Sequence, residues 1–341
     1  MYGVPGAAFR EPAAAIRRTV EMEELLAAFD RAEQRALARA ITRCESGQGE
    51  PLIRALFGRA GRALTVGLTG PPGVGKSTLT AALVAHLRRL GKTVGVISVD
   101  PSSPFSYGAL LGDRIRLSEH FVDPGVFIRS MASRGHLGGV AGATADAVTL
   151  MDAFGYDVVL VETVGVGQSE IEVAEIADTI VVALQPGSGD TVQMLKAGIL
   201  EIADVFVVNK RDHPMALQLQ REIRSMMEML DYGGWVPKLV ATQALEAHGI
   251  EALWDAIVEH DAYLRTSGEI ARKRRGAYEH RVRALALGAL ERRVEGAVAA
   301  LPDDRDPYAA AHDVLAQFGE DAAAGQAPAR RAPLRATVKG L

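Results

Sequence analysis

Between residues 64 and 265, short β-branched and apolar runs alternate with stretches of helical periodicity, and that alternation leaves few folds open. The runs are Leu64–Thr69, Thr93–Val99, Val126–Met131, Asp157–Glu162, Thr179–Leu184, Val205–Asn209 and Lys238–Ala241. The first is a continuous run rather than an alternating one, as a strand covered on both faces requires. The expected fold is therefore α/β, a mostly parallel sheet with helices on both faces. In such a sheet ligands sit beyond the carboxyl ends of the strands, so functional motifs should follow strands directly.

The flanks read differently. From Met22 to Glu45, Leu25, Leu26, Phe29, Ala32, Ala36, Leu37, Ala40 and Ile41 recur at helical spacing, which predicts one amphipathic helix. A short helix over Leu52–Phe57 precedes Gly61. Beyond Leu264 an Ala-, Arg- and Glu-rich helical pattern runs to about Leu301, where Pro302 breaks it. A further helix over Pro307–Phe318 is expected, then an Ala-, Pro- and Arg-rich tail, Ala322–Arg335, without regular structure. The expected division is a helical extension over 1–62, the sheet domain over 63–265, and a helical arm with its tail over 266–341.

Composition narrows the function classes. The 341 residues are 48% apolar and 23% charged, which excludes collagen-like and disordered chains. A net charge of −4 gives no basic excess of the kind nucleic acid binding favours. The single cysteine, Cys44, builds neither an intramolecular disulfide nor a Cys-x-x-Cys site. No apolar stretch is long enough to span a membrane, and Met1–Val20 lacks the apolar segment of a secretory signal. That stretch also carries Glu11 and no serine, unlike a transit peptide, so a cytoplasmic protein is expected.

The run Gly70-Pro71-Pro72-Gly73-Val74-Gly75-Lys76-Ser77 fits the phosphate-loop pattern G-x-x-x-x-G-K-[ST]. It follows the Leu64–Thr69 strand and opens a helix with Thr78. Glycines let backbone N–H groups turn inward around phosphate oxygens, and the helix N-terminus adds positive potential. Lys76 supplies charge at the β- and γ-phosphates, and Ser77 is a Mg²⁺ ligand.

The strand ending in Glu162-Thr163-Val164-Gly165 delivers a carboxylate to the Mg²⁺ region, then a glycine whose N–H suits the γ-phosphate. This is the D-x-x-G pattern with Glu in place of Asp. Gln168, just downstream, is either a water-orienting residue or a solvated loop glutamine. Asp100 ends the second strand of the sheet and suits either Mg²⁺-bound water or the attacking water. Asp113 is a second candidate carboxylate for the metal, or a helix N-terminal charge.

The strand Val205–Asn209 runs into Asn209-Lys210-Arg211-Asp212, an N-K-x-D pattern. In GTPases this Asp accepts from the two donors on the guanine N1/N2 edge, the Lys stem packs over the base, and Asn ties the loop to the phosphate loop. Adenine offers no such donor pair and would leave the Asp unpaired, so GTP is preferred to ATP. Thr242-Gln243-Ala244, after the last strand, either offers a backbone N–H to the guanine O6 or is an ordinary connecting loop. The phosphate loop alone also permits a small-molecule kinase or a transport-linked ATPase. A nickel-insertion GTPase commonly carries His- or Cys-rich metal sites, which this chain lacks.

These runs together with Val99-Asp-Pro-Ser-Ser-Pro-Phe, Leu111-Gly-Asp-Arg-Ile-Arg and Arg134-Gly-His-Leu-Gly-Gly resemble the methylmalonyl-CoA mutase-associated GTPases of the MeaB/ArgK type. The resemblance extends from about residue 30 to about 290, and Arg35-Ala-Leu-Ala-Arg-Ala-Ile-Thr looks like that family's helical extension. It implies a SIMIBI-class GTPase, a homodimer joined through the C-terminal arm, and an adenosylcobalamin-dependent methylmalonyl-CoA mutase as partner. In that family the GTPase is a chaperone that gates cofactor loading and protects the mutase. It further implies that Gln185–Lys196 is a switch loop coupling the two proteins, with Lys196 carried toward the phosphates. His136 falls in a family motif, though a lone loop histidine is more often structural.

Overall fold

The computed structural model describes residues 10–100, 120, 122–132, 139–163, 168–188, 199–302 and 306–324. The chain starts with helices α1 (Arg10–Asp30), α2 (Gln34–Glu45) and α3 (Glu50–Leu56), followed by strand β1 (Leu64–Thr69) and helix α4 (Lys76–Arg89). Next come β2 (Val94–Asp100), β3 (Val126–Ala132), α5 (Gly139–Phe154), β4 (Val158–Thr163), α6 (Gln168–Ile176) and β5 (Thr179–Leu184). Then follow α7 (Ile199–Ile202), β6 (Val205–Val208), α8 (Ala216–Met227), β7 (Lys238–Ala241), α9 (Ile250–Thr266), α10 (Glu269–Ala299) and α11 (Pro307–Ala324).

The seven strands form one sheet in the order β3-β2-β4-β1-β5-β6-β7, with every pairing parallel. Each residue of β1, β4 and β5 is buried, which explains their unbroken apolar runs. Alternate side chains feed opposite layers. Val66, Leu68, Val158 and Leu160 meet Leu79, Leu83 and Leu87 of α4 and Leu253 and Ile257 of α9 in one cluster. Val159, Val161, Ile180 and Val182 join the second cluster, with Leu150 and Met151 of α5, Val173 of α6 and Ala177 just past that helix's end. That cluster also takes in Leu25, Phe29, Leu37, Ile41, Leu52 and Leu56 of the first three helices. The N-terminal extension is thus a layer on the sheet.

Sequence periodicity predicts one helix across Met22–Glu45, and here the structure differs. The chain turns at Arg31–Glu33, where Ala32 takes a left-handed φ of 56°. Glu33 N–H bonds back to Ala28 O at 3.2 Å and Ala32 N–H to Phe29 O at 3.0 Å, closing α1 in the manner of a Schellman cap. Glycine ordinarily marks that position; alanine hides it. Gln34, opening α2, donates to Pro124 O and Val126 O beside edge strand β3. The tail differs as well: α11 continues to Ala324, so the alanines at 322–324 lengthen the helix instead of starting an irregular tail.

By its contacts the chain separates into two compact units, 1–284 and 285–341, with the division inside α10. In the first unit, Arg274 of α10 pairs with Asp178 at 2.8 Å and donates to Gly61 O and Ala63 O. Lys273 meets Asp204 at 3.1 Å and Arg281 meets Asp146 at 2.8 Å. In the second, Arg293 lies over the ring of Phe318. Among the described residues no helix is long and apolar enough to cross a membrane.

Candidate functional site

The site is built where the chain leaves the central strand β1 and turns into α4. Gly70 has a φ of 142°, and a Cβ there would stand 2.0 Å from the carbonyl oxygen of Ala183 on β5. No other residue fits that approach. Gly75 sits at the N-cap of α4 with a φ of 92°. Val74 is fully buried, so the loop between Gly73 and Gly75 is anchored from below. Lys76 is buried and donates to Gly70 O at 2.6 Å and Pro71 O at 2.9 Å, which holds its ammonium across the loop. Ser77 and Thr78 occupy the first turn of α4, whose N–H groups carry the helix's positive end.

Beside the loop, strand β4 delivers Glu162 in register with Leu68 of β1 and Ser98 of β2. Its carboxylate is buried and accepts from Ser77 Oγ at 2.5 Å and Thr80 Oγ1 at 2.9 Å. Sequence reasoning brought Ser77 and Glu162 together but passed over Thr80; its signal was the i, i+3 spacing from Ser77, which puts both hydroxyls on one face of α4. Hydroxyl and carboxylate oxygens are the hard donors Mg²⁺ takes, and it needs few of them because phosphates and water complete its shell. Among the described residues no group of three or more His, Cys, Asp and Glu could enclose a metal. The donor set fits Mg²⁺ held jointly with a nucleotide.

Asp100 closes β2, its backbone in register with Ala132, and its side chain lies outside the described residues. Gln168 opens α6, and its side chain too lies outside them. Asp113, His136, Gly165 and Lys196 also lie outside the described residues.

The opposite wall follows β6. Asn209 is buried and donates through Nδ2 to Val74 O at 2.9 Å. Its Oδ1 accepts from Thr242 Oγ1 at 3.1 Å and from the Ala244 N–H at 3.2 Å. One amide therefore joins the phosphate loop, the loop after β6 and the loop after β7. The Gln243 N–H goes to His248 O at 3.0 Å, closing that last loop on itself. Lys210 takes a left-handed φ of 57°, and its ammonium donates to Gly73 O at 3.2 Å and to Gln185 at the end of β5. Arg211 N–H to Thr242 O at 2.9 Å fixes the turn. Asp212 is exposed and makes no hydrogen bond or ion pair among the described residues. Its acceptor oxygens are available to a ligand.

Comparison with known proteins matches residues 37–299 to the family described as methylmalonyl-CoA mutase-associated GTPase MeaB. A protein of Pyrococcus horikoshii named as a GTPase is 44% identical over 308 residues, covering 86% of this chain and 97% of its own. GTPase ArgK of Escherichia coli is 39% identical over 253 residues, 71% of this chain and 76% of its own. The crystal structure of a protein named LAO/AO transport system kinase superposes with a TM-score of 0.66 at 27% identity, covering 88% of this chain and 98% of that one.

Proposed function

This chain belongs to the MeaB family of methylmalonyl-CoA mutase-associated GTPases, and we propose that it spends GTP on gating cofactor loading into such a mutase and protecting it. It is a GTPase. The client in this reading is adenosylcobalamin-dependent, the setting is cytoplasmic, and the product of turnover is a change of loop conformation rather than a modified substrate.

The observation that carries the reading is the Asn209 bridge. It fastens the loop after β6 to the phosphate loop, and the exposed Asp212, three residues on in that loop, supports base reading there. A carboxylate there accepts two N–H donors from guanine and none from adenine, which favours a GTP switch over a kinase or a transport-linked ATPase.

In hydrolysis, water attacks the γ-phosphate in line with the leaving β–γ bridge oxygen. Lys76 exchanges its loop carbonyls for phosphate oxygens, and the N–H groups of Gly73, Val74, Gly75, Ser77 and Thr78 meet the remaining charge. Ser77 and Glu162 would hold Mg²⁺, with Asp100 and Asp113 as further carboxylates; bound there, the ion supplies Lewis-acid charge to the phosphate oxygens. Gly165 contributes an N–H to the γ-phosphate. Asp100 orients the attacking water, with Gln168 next in order and Lys196 added once the partner reorganises its loop. Lys210 covers one face of the base, whereas the N–H groups of Thr242, Gln243 and Ala244 are bonded to Val208 O, His248 O and Asn209 Oδ1, which leaves the 242–244 loop a connecting role.

The helical arm, 266–341, carries the homodimer contact. Half-exposed Val282, Leu285, Leu287 and Leu290 along α10 support this, since single helices rarely leave so many large apolar side chains in water. Co-elution tests the partner: the chain and a purified methylmalonyl-CoA mutase should run as one species with a nonhydrolysable GTP analogue, and separate elution under every nucleotide condition would refute the assignment.

A further inference from the structure

We propose that Thr80 is a positioning residue for Glu162, the hydroxyl that makes a glutamate workable where the D-x-x-G pattern has aspartate. The inference rests on reading Glu162 as the metal-side carboxylate. It adds a residue that lies outside the phosphate-loop pattern, one helical turn beyond Lys76.

A glutamate reaches one carbon–carbon bond further than an aspartate, about 1.5 Å, and gains one more torsion to hold. Both of its oxygens are held here. Ser77 Oγ donates to Oε1 at 2.5 Å, and Thr80 Oγ1 donates to Oε2 at 2.9 Å. Thr80 is fully buried and Glu162 nearly so, so water does not replace either bond. Ser77 is itself a candidate metal ligand; of these two hydroxyls, Thr80 is the one with no role toward the metal.

Thr80 Oγ1 also lies 3.0 Å from Lys76 O, the back-bond a helical threonine commonly makes. Its one proton serves one acceptor at a time. An ionised carboxylate is the stronger acceptor, so the proton goes to Oε2 and Lys76 O is second. The donor orients the carboxylate toward Ser77, as outer partners orient metal-holding groups elsewhere; losing such a partner typically costs 10- to 100-fold in metal affinity.

The test is the affinity of a fluorescent GDP analogue measured in EDTA and in Mg²⁺. In the native chain Mg²⁺ should tighten binding. Thr80→Val, which keeps the shape and removes the hydroxyl, should leave affinity in EDTA unchanged and lower the tightening by Mg²⁺ about tenfold. Thr80→Ser should restore it. In a Glu162→Asp background, whose shorter carboxylate falls away from position 80, Thr80→Val should have no further effect. Thr80→Ala serves as a second variant if Thr80→Val fails to fold. Full Mg²⁺ tightening in a folded Thr80→Val chain would overturn the inference and reduce Thr80 to its bond with Lys76 O. No tightening by Mg²⁺ in the native chain would instead overturn the metal reading of Glu162, and this inference with it.

Discussion

Asn209 Nδ2 donates to Val74 O at 2.9 Å, so the loop after β6 and the loop between β1 and α4 are one body. Because Asn209 Oδ1 also holds Thr242 and Ala244, a single buried side chain carries three hydrogen bonds between three loops. Asn209→Ala should weaken GTP and GDP binding roughly 10- to 100-fold and lower stability by about 1–3 kcal/mol, because it leaves buried partners unpaired. Nucleotide titration and thermal unfolding measure the two effects. Native affinity in the variant would show that the loops hold their places independently.

Asp212 acts one step further out. Asp212→Asn replaces an acceptor pair with one donor and one acceptor, a mismatch to the guanine N1/N2 edge. Discrimination between GTP and ATP should fall by about 10² or more while the fold is unaffected, since the side chain is exposed. Competition of GTP, ATP and xanthosine triphosphate for a fluorescent nucleotide reads this directly, with the xanthine nucleotide gaining because its 2-oxo group accepts the new N–H. Unchanged GTP/ATP selectivity would remove Asp212 from base reading.

Gly70 gives a stability prediction that is independent of chemistry. A methyl at this position collides with Ala183 O at 2.0 Å, and a φ of 142° is foreign to alanine. Gly70→Ala should cost roughly 2–4 kcal/mol, because backbone on both sides must move. Gly73→Ala meets nothing within 4 Å and bears only the strain of its φ of 78°, so it should cost less. Denaturant unfolding of the two variants ranks them; equal losses would contradict the collision.

The sequence made β1, β5 and β7 readable to the residue, because each is a short apolar run bounded by polar or helical sequence. The Gly70–Ser77 and Asn209–Asp212 patterns were equally plain as sequence, and the structure joins them through Asn209. The break at Ala32 was not legible: a left-handed residue without glycine leaves no mark, and the apolar spacing carries on across it. Nor was the Thr80 contact, because a threonine inside a helix has many uses and only its distance from Glu162 picks one. Strand order came from neither periodicity nor motif; it depends on which faces the helices cover.

A buried histidine predicts a pH dependence. His260 Nε2 lies 3.2 Å from Asp204 Oδ1, and its Nδ1 shares a 2.8 Å hydrogen bond with Thr179 Oγ1, so the buried ring has a polar partner on both sides. Burial holds its pKa below the ordinary histidine range, with Lys273 acting in the same direction; Asp204, Asp261 and Asp178 oppose. The unfolded chain therefore takes up this proton first. The histidine's contribution is complete above about pH 6.5 and is lost as the pH falls below that value toward the lower folded one. Unfolding free energy should decline from pH 7.5 to 5.5, and His260→Gln should flatten that decline; an equal decline in both proteins would assign it to other groups.

The most direct test of the whole account is steady-state GTP hydrolysis by the purified chain, alone and with methylmalonyl-CoA mutase titrated in, using ATP as the control nucleotide and Lys76→Ala as the blank. Slow GTP-selective turnover that rises to saturation with mutase, and is absent in Lys76→Ala, is the predicted result. GTP turnover indifferent to saturating mutase would contradict the proposed role while leaving the GTPase itself intact.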